Sequence, residues 1–411
     1  MKIVASSNRR AVRALVERGR LADPDVAARA AEIVDDVRRR GDRAVRKYAR
    51  SLDRLQGPIE LDADEIRRGA ALAPPAVRSA IRSAARHIRR VAARQIPKGW
   101  RMTVAAGVVI EQRVTPLERV GCYVPGGRHP LPSSLLMTAI PARAAGVGEV
   151  VATCPDPAPA VLAAAVEARV DRLFRLGGAH AVAALAYGTA TVPRVDKIVG
   201  PGNAYVAAAK ARVAPDCAID FYAGPTEIVV VSEDGNPDWI ASDLVAQAEH
   251  DPDARAVLLT PSRPLARAVA GAVAAQLEDH PGAAPSIAAH GIAVVTSSLD
   301  EAIELANAIA PEHAAADSLA VAHRITRAGT VFAGPYGAQA AGDYATGSNH
   351  VLPTDGAARV RGGLSAADFV RVHSVQRLTR AGLRHLAPSA ISLANAEGLR
   401  AHAASVAIRV L

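Results

Sequence analysis

The sequence has few aromatic residues, few cysteines and no long hydrophobic run. Phe, Trp and Tyr make up only 3% of its 411 residues, so a folded core must be built from aliphatic side chains. The three cysteines are odd in number and lack the spacing of a metal site, which favours a reducing cytosol over a disulfide framework. Because no run of about 18 apolar residues occurs, we expect a soluble, cytoplasmic protein without a membrane partner.

The chain carries an excess of positive charge. Its 49 Lys and Arg residues outnumber 40 Asp and Glu residues, which gives a net charge of +9. The arginines, as at Arg38–Arg40 and Arg89–Arg90, follow amphipathic helical patterns without interleaved aromatic residues. We interpret them as a solvated surface and not as a nucleic-acid interface.

The spacing of apolar residues predicts an α/β protein. From 24 to 95 these residues recur with the 3.6-residue period of helices, and 103–114 has the pattern of a hairpin that turns at Gly107. Strand and helix patterns then alternate through 118–231 and again through 228–333. This alternation predicts parallel sheets with helices on their faces.

The C-terminal part has a different pattern. The Gly-rich segment 334–363 is irregular and longer than a simple connection requires, which indicates a functional loop. Two helices, at about 365–380 and 388–404, are expected to close the chain.

The stretch 242–251 combines polar side chains with helical spacing. It has no helix breaker before Pro252, so Asp243, Gln247 and His250 are expected to project from one helix face. An imidazole and an amide oxygen can both bind a metal ion. The alternative, which these residues alone favour, is a structural helix histidine with polar neighbours.

Glycine-rich turns follow several predicted strands, but none completes the dinucleotide fingerprint G-x-G-x-x-G. A phosphate group could bind at the helix ends after Gly177-Gly178 or Gly200-Pro-Gly-Asn203. Tight strand-to-helix turns explain the same glycines equally well. The motifs alone therefore leave NAD binding open.

Further polar groups lie in four other stretches, at 311–313, 342–344, 348–350 and 397–402. Glu312 and His313 place a carboxyl group beside an imidazole, a pair suited to general acid–base catalysis. Asp343, in the Gly-rich segment, is a good ligand for a hard metal ion. Glu397 and His402 are five residues apart, about 140° around a regular helix, so they cannot share one face. Together with Gln247 and His250, these residues offer a nitrogen and oxygen donor set suited to zinc.

Several motifs in order along nearly the whole chain resemble the histidinol dehydrogenase family. The motifs are Gly121-Cys-Tyr-Val-Pro-Gly-Gly127, Ser133-Ser-Leu-Leu-Met137, Pro141-Ala-Arg-Ala-Ala-Gly146, Val195-Asp-Lys-Ile-Val-Gly-Pro-Gly-Asn203, Ala223-Gly-Pro-Thr-Glu227, Gln247-Ala-Glu-His250, Ala310-Pro-Glu-His313, Ala341-Gly-Asp-Tyr344, Asn349-His-Val-Leu-Pro-Thr354 and Ala396-Glu-Gly-Leu-Arg-Ala-His402. The resemblance implies a zinc- and NAD-dependent enzyme that oxidises L-histidinol to L-histidine in two steps.

The resemblance also assigns roles to residues. It implies that zinc is bound by Gln247, His250, Asp343 and His402, with His402 supplied by the partner subunit of a homodimer with shared active sites. It implies that His313 is the general base and that Glu312 activates water at the aldehyde stage. Substrate contacts are implied for the zinc ligands, for His313, and for Ser133, Thr226, His350 and Glu397. NAD contacts are implied for Tyr123, His180 and Asn203.

The layout that the resemblance implies is two Rossmann-like parallel-sheet domains, one inserted in the other, with small helical arms at both ends. The expected parts are an N-terminal arm (1–22), a larger discontinuous α/β domain (23–122 with 229–364), an inserted, incomplete Rossmann domain for NAD (123–228) and a C-terminal arm that reaches the partner subunit (365–411).

The chain departs from the family at four positions. The family usually has Gln at the position of His180, Ser at that of Thr226, a small residue at that of Arg128 and Leu at that of Ala314. Because Arg128 would suit an anionic group, a related dehydrogenase of a hydroxylated sulfonate or carboxylate is an open alternative. A binding protein that has kept the fold without the chemistry is a third, which the intact metal and acid–base positions disfavour.

Overall fold

The computed structural model describes residues 1–17, 23–126, 130–222 and 224–410. The strands are β1 (Lys2–Ala5), β2 (Glu60–Leu61), β3 (Trp100–Ala105), β4 (Val108–Pro116), β5 (Arg119–Tyr123), β6 (Glu149–Thr153), β7 (Arg172–Phe174), β8 (Lys197–Val199), β9 (Ala218–Ile219), β10 (Glu227–Val231), β11 (Arg255–Thr260), β12 (Ile292–Val295), β13 (His313–Ala316), β14 (Thr330–Ala333) and β15 (Val370–Leu378).

Helices surround these strands. They are α1 (Arg9–Val16), α2 (Pro24–Arg40), α3 (Asp42–Ser51), α4 (Ala63–Ala71), α5 (Pro75–Gln95), α6 (Pro132–Ala144), α7 (Pro159–Ala168), α8 (Gly178–Tyr187), α9 (Ala204–Val213), α10 (Pro237–Ala248), α11 (Arg263–Asp279), α12 (Ala284–His290), α13 (Leu299–Ile309), α14 (Leu319–Ala322), α15 (Gln339–Tyr344), α16 (Arg380–Ala396) and α17 (Arg400–Ala407). Short 3-10 turns lie at Pro281–Ala283, Ala357–Arg359 and Ala366–Phe369.

The first large sheet has the strand order β2-β7-β6-β5-β8-β9, and all neighbours except β2 and β7 pair in parallel. Its strands are apolar on both faces, as a parallel sheet covered by helices requires. Helices α4 to α7 pack on one face, and α2, α3, α8 and α9 pack on the other. The chain order of the parallel strands reverses between β5 and β8, which opens a crevice at their carboxyl ends.

The second large sheet repeats this arrangement. Its order is β1-β12-β11-β10-β13-β14, and every pair is parallel. Helices α10 to α12 cover one face, and α13 covers the other. The two Rossmann-like parallel sheets expected for this chain are therefore confirmed, as is the β3–β4 hairpin around Gly107.

The expected helix at 365–380 is wrong. Residues 370–378 form β15, which pairs antiparallel with β4 along its whole length, from Val370 opposite Pro116 to Leu378 opposite Val108. The segment contains three valines, whose branched side chains favour a strand once a partner strand is present. The helix α16 then begins at Arg380. The segment 334–363, expected to be irregular, contains the short helix α15.

The division of the chain into four domain parts stays a prediction. Strand pairing shows, however, that β1, at the start of the expected N-terminal arm, belongs to the second large sheet through its pairing with β12. The helices of 24–95 pack on the first large sheet, although the expected division assigns them to the other domain.

The core is aliphatic, as the scarcity of aromatic residues requires. Its largest fully buried side chains are mainly Leu, Ile and Met, with Phe174 and Phe369. Cys122, Cys154 and Cys217 are buried and free. Within the described ranges, no helix is both long enough and apolar enough to cross a membrane.

Candidate active site

Parallel pairing of β10 and β13 brings the acid–base residues together. Ile228 lies opposite His313 in the register, so Glu227 and Glu312 stand at the same edge of the sheet. This is the amino end of both strands, the opposite edge from the one at which α/β sheets usually bind ligands. The helix α10 runs back along the sheet, which brings its last turn, with Gln247, to this edge.

Glu312 is buried, and one of its two carboxylate oxygens accepts two hydrogen bonds. Its Oε2 atom accepts a short hydrogen bond from the Thr226 hydroxyl and one of 3.0 Å from the backbone N–H of Glu227. Burial, which outweighs these bonds, raises the pKa of Glu312 to about 8. A carboxyl group with a pKa near neutrality can both donate and accept a proton under ordinary conditions.

The orientation of His313 follows from its one hydrogen bond. Its Nδ1 atom lies 3.3 Å from the backbone carbonyl oxygen of Glu227, which can only accept, so Nδ1 carries the proton. The other ring nitrogen, Nε2, is buried and has no hydrogen-bond partner among the described residues. Burial lowers the pKa of His313 to about 3, so the ring is neutral at pH 7. His313 therefore presents an unprotonated Nε2 lone pair to the site.

Thr226 joins the metal-binding candidate Gln247 to the acid Glu312. The Gln247 side-chain amide donates to the Thr226 hydroxyl oxygen at 2.5 Å, and that hydroxyl donates to Glu312. This orientation turns the Gln247 carbonyl oxygen Oε1 away from Thr226. Oε1 is buried and accepts no hydrogen bond from any described residue. An unpartnered buried amide oxygen is an acceptor available to a cation or an incoming donor.

Asp343 and His350 complete the buried cluster from the Gly-rich segment. Asp343 Oδ1 lies 3.8 Å from His313 Nε2, and its Oδ2 accepts a hydrogen bond of 2.7 Å from the Gln339 side chain. His350 Nδ1 lies 2.9 Å from the Asp343 carbonyl oxygen, which leaves Nε2 as the free nitrogen. Burial raises the pKa of Asp343 and lowers that of His350, and their mutual attraction opposes both shifts.

The expectation that Gln247 and His250 share one helix face is wrong. The helix α10 ends at Ala248, and His250 is exposed beyond it. The residue before a proline avoids the helical conformation, so Pro252 ends the helix earlier than the residue pattern suggests. His250 Nδ1 turns back to the carbonyl of Ala246 at 3.1 Å, which leaves Nε2 free, and His250 is near enough to shift the pKa of Asp343.

Glu397 and His402 are not part of the cluster in this chain. Glu397 caps the end of α16 and His402 lies on α17, and both side chains are exposed. These two helices pack mainly on each other and carry exposed apolar residues, among them Leu393 and Ile408.

The donor set suits a zinc-type ion only in part. In the part of the chain that the structure describes, no three His, Cys, Asp or Glu side chains converge closely enough to bind an ion by themselves. The unpartnered oxygen of Gln247 supplies one further donor at the edge where Asp343 lies. An imidazole, a carboxylate and an amide oxygen are compatible with zinc but leave its fourth position open.

Tyr123 and Asn203 flank the crevice of the first large sheet. Tyr123 ends β5, and its hydroxyl accepts a hydrogen bond of 3.0 Å from the backbone N–H of Gly178. Asn203 is exposed and caps α9 through a bond to the N–H of Val206. Gly200 approaches Tyr123 so closely that a Cβ atom there would lie 2.2 Å from the Tyr123 carbonyl oxygen.

His180 lies beneath this crevice and is completely buried. Its Nε2 atom is 2.7 Å from Asp53 Oδ2, which also accepts the N–H of Gly177 at 3.0 Å. The ring therefore braces the β7–α8 turn from inside. Contact between His180 and a cofactor stays a prediction, and this burial does not support it.

Ser133 is half-buried in the first turn of α6, one turn before Met137. The Met137 carbonyl accepts a hydrogen bond of 2.7 Å from Asn349, so α6 is tied to the residue next to His350. Arg128, the cation that motivated an anionic-substrate alternative, lies outside the described residues.

Sequence patterns did not single out Gln339 or the carbonyl of Glu227. Gln339 stands one helical turn before Asp343, and that i, i+4 spacing of an amide and a carboxylate is the signal that indicates it. No sequence signal indicates the Glu227 carbonyl, because a backbone group acts there.

Two Rossmann-like sheets, with a buried acid–base pair at the edge of one and a nucleotide-type crevice in the other, define an α/β enzyme of the dehydrogenase type. Residues 16–410 match the family model for histidinol dehydrogenase. The chain is 45% identical over 412 residues to the histidinol dehydrogenase of Geobacter sulfurreducens, a match that covers 97% of this chain and 96% of that relative. It is 48% identical over 401 residues to that of Cereibacter sphaeroides, with coverage of 94% and 92%.

A solved structure gives the same answer. The crystal structure of histidinol dehydrogenase from Elizabethkingia anophelis superposes with a TM-score of 0.95 at 32% sequence identity, and the match covers 100% of this chain and 98% of that one. The chain belongs to the histidinol dehydrogenase family and is an oxidoreductase.

Proposed function

We propose that this protein oxidises L-histidinol to L-histidine in two steps, through an enzyme-held L-histidinaldehyde, with zinc and NAD as cofactors. The observation that carries the proposal is the buried pair of Glu312, with a pKa of about 8, and His313, with a free Nε2. An alcohol oxidation followed by an aldehyde oxidation releases protons from the alcohol hydroxyl, from the water that hydrates the aldehyde and from the hydrate, and a base must accept each of them.

The ligand set proposed for zinc is Gln247, His250, Asp343 and, from the partner subunit of a homodimer, His402. The free oxygen of Gln247 and the free Nε2 of His250 support the first two, and Oδ1 of Asp343 supports the third. When bound, zinc would supply a positive charge that orients the imidazole and amine of the substrate, and NAD would accept a hydride in each oxidation.

His313 is the base of both oxidations in this proposal. In the first, its Nε2 atom accepts the hydroxyl proton as the hydride leaves the neighbouring carbon, and the aldehyde results. Glu227 stabilises the resulting imidazolium, because its carbonyl oxygen accepts the Nδ1 proton throughout. Thr226 and the backbone N–H of Glu227 keep the Glu312 carboxyl group beside the ring, with Oε2 at 3.7 Å from Nδ1.

Glu312 serves the second oxidation. Its carboxylate accepts a proton from the water that attacks the aldehyde carbon. His313 Nε2 would then accept a hydroxyl proton of the hydrate as the second hydride leaves its carbon for NAD. The raised pKa suits this role, because a base of pKa about 8 keeps the abstracted proton firmly.

The remaining contacts are those that the family resemblance implies. Three residues of one subunit, Ser133, Thr226 and His350, are proposed to bind the substrate together with the partner subunit's Glu397. Tyr123 and Asn203 are proposed to bind NAD, because they flank the crevice between β5 and β8. A contact of His180 with NAD is proposed as well, although its ring is buried against Asp53.

A shared homodimer site accounts for the exposed C-terminal arm. Glu397 and His402 lie far along the chain on helices whose apolar residues Leu393, Leu399 and Ile408 are exposed. An exposed apolar surface of this kind is typical of a subunit interface. We place the reaction in the cytoplasm, where unpaired cysteines persist.

The test is NADH formation by purified, zinc-loaded protein with L-histidinol, counted per molecule consumed. The proposal expects two NADH per histidinol and loss of activity with a chelator. One NADH per histidinol would show that the protein does not catalyse the second oxidation, from aldehyde to acid. If zinc-containing protein forms no NADH from L-histidinol, the proposal is wrong, and hydroxylated sulfonates and carboxylates become the substrates to test.

A further inference from the structure

Gln339 is a completely buried amide next to the proposed metal ligand Asp343. It is the first residue of α15, and its Nε2 atom donates a hydrogen bond of 2.7 Å to Asp343 Oδ2. The two residues are one helical turn apart, so the bond lies along the helix surface. Neither the acid–base chemistry nor the proposed ligand set uses Gln339.

The orientation of this amide is determined by its partner. A carboxylate oxygen only accepts hydrogen bonds, so the NH2 group of Gln339 must face Asp343 and its carbonyl oxygen must face away. That oxygen, Oε1, is buried and receives no donor from the described residues. A buried unpaired acceptor is unfavourable by about 1–3 kcal/mol, so an apolar residue would suit a purely structural position better.

A second carboxylate holds the start of the same helix. The backbone N–H of Gln339 faces the side chain of Asp243, on α10 one turn before Gln247, and partly offsets the rise that burial causes in the pKa of Asp243. Asp243 on α10 and Gln339 on α15 therefore face each other, and one turn further along each helix stand Gln247 and Asp343. The position of Asp343 relative to Gln247 therefore depends on Gln339 through both its backbone and its side chain.

We propose that Gln339 is a positioning residue of the metal site, which occupies Oδ2 of Asp343 and directs Oδ1 to the ion. This inference rests on the proposed zinc site. Oδ1 is the oxygen that faces His313 Nε2 at 3.8 Å, and because Oδ2 already accepts the Gln339 hydrogen bond, Oδ1 has the larger lone-pair capacity for an ion. Hydrogen bonds to ligand side chains of this kind commonly change metal affinity by about 10- to 100-fold.

The test compares Gln339→Met with the wild-type protein. Met matches Gln in length and lacks the NH2 donor, so Asp343 loses its second bond. Zinc affinity is measured by competition with a chelator at fixed pH, and the visible absorption spectrum of the cobalt-loaded protein reports the ligand geometry. We expect zinc to bind about 10- to 100-fold more weakly, with an altered cobalt spectrum.

Gln276→Met is the matched control. Gln276 also donates through Nε2, to the backbone carbonyl of Asp238 at 3.0 Å, but it lies on α11 away from Asp343. We expect its zinc affinity and cobalt spectrum to equal those of the wild type. Should Gln339→Met not fold, Gln339→Asn serves, because it remains polar but is one methylene too short to reach Oδ2.

The outcomes separate the two claims. Wild-type affinity and an unchanged cobalt spectrum in the Gln339 variant would overturn the positioning role while the zinc site stands. A wild-type protein that binds no zinc would overturn the zinc site and this inference with it. Weaker zinc binding with an altered cobalt spectrum in the Gln339 variant, and neither change in Gln276→Met, would establish Gln339 as a positioning residue.

Discussion

The imidazole Nδ1 of His313 lies 3.3 Å from the backbone carbonyl oxygen of Glu227. The contact joins the first residues of two neighbouring parallel strands, β10 and β13. Because a carbonyl oxygen cannot donate, this contact selects the tautomer in which Nε2 is the free base. A backbone group cannot be lost by substitution, so the tautomer is built into the sheet.

Replacement of His313 is expected to abolish the first proton transfer. His313→Asn should lower kcat for L-histidinol by about 100- to 10,000-fold while the fold is retained, because general-base catalysis is lost. Steady-state NADH formation measures this effect, and circular dichroism checks the fold. His323→Asn, at an exposed histidine after α14, is the control and should retain full activity. Near-normal turnover of His313→Asn would remove His313 as the base.

Glu312 is expected to make stability fall as the pH rises. Burial raises its folded-state pKa to about 8, so the folded protein retains a proton that the unfolded chain has already released above its ordinary pKa. The free energy of unfolding of metal-free protein should therefore fall between about pH 4.5 and pH 8. Glu312→Gln removes this contribution, since its amide does not titrate.

Urea unfolding across this pH range measures the difference. At pH 8 the Gln variant should be more stable than the wild type by up to a few kcal/mol, and the two should converge near pH 5. Parallel stability curves for the two proteins would show that Glu312 is ionised in the folded state.

Complementation between two inactive variants is expected if the active sites are shared. His402→Ala should lower the zinc content, because it removes the ligand given to the partner subunit. A mixed dimer of His313→Asn and His402→Ala should regain one intact site and part of the activity. NADH formation is measured after the subunits of the two variants have exchanged. If exchange is demonstrated and no activity returns, the active sites are not shared.

The ion pair of Lys210 with Asp220 is expected to stabilise the Gly200 turn. Both side chains are at most 3% exposed, Lys210 Nζ donates to the Gly200 carbonyl at 3.0 Å, and Asp220 accepts the Gly200 N–H at 2.8 Å. Lys210→Met leaves a buried carboxylate unpaired and should lower the free energy of unfolding by about 3–5 kcal/mol.

Addition of Asp220→Asn to Lys210→Met should recover part of that loss, since no unpaired charge remains. Urea unfolding of the single and double variants, with NAD affinity measured beside it, tests the pair. A single variant as stable as the wild type would show that the pair contributes little.

The local residue pattern was enough to predict most elements. The alternation of strands and helices predicted from 118 to 333 is confirmed, because apolar residues there follow periods of 3.6 and two, but the short elements β9, α12, β13 and α14 were not predicted. The predicted parallel sheets follow from that alternation. Where a local pattern met a distant partner, the prediction was wrong: residues 370–378 pair with β4 and form a strand.

The site divides in the same way. The sequence by itself determined which chemical groups are available, namely an acid beside an imidazole at 312–313 and amide, imidazole and carboxylate donors elsewhere. Only the tertiary structure decided that Thr226 joins Gln247 to Glu312 and that His313 faces Asp343, whereas Glu397 and His402 lie apart. The reason is physical: composition and periodicity act within a few residues, but strand register and helix packing place groups that are about a hundred residues apart within one hydrogen bond.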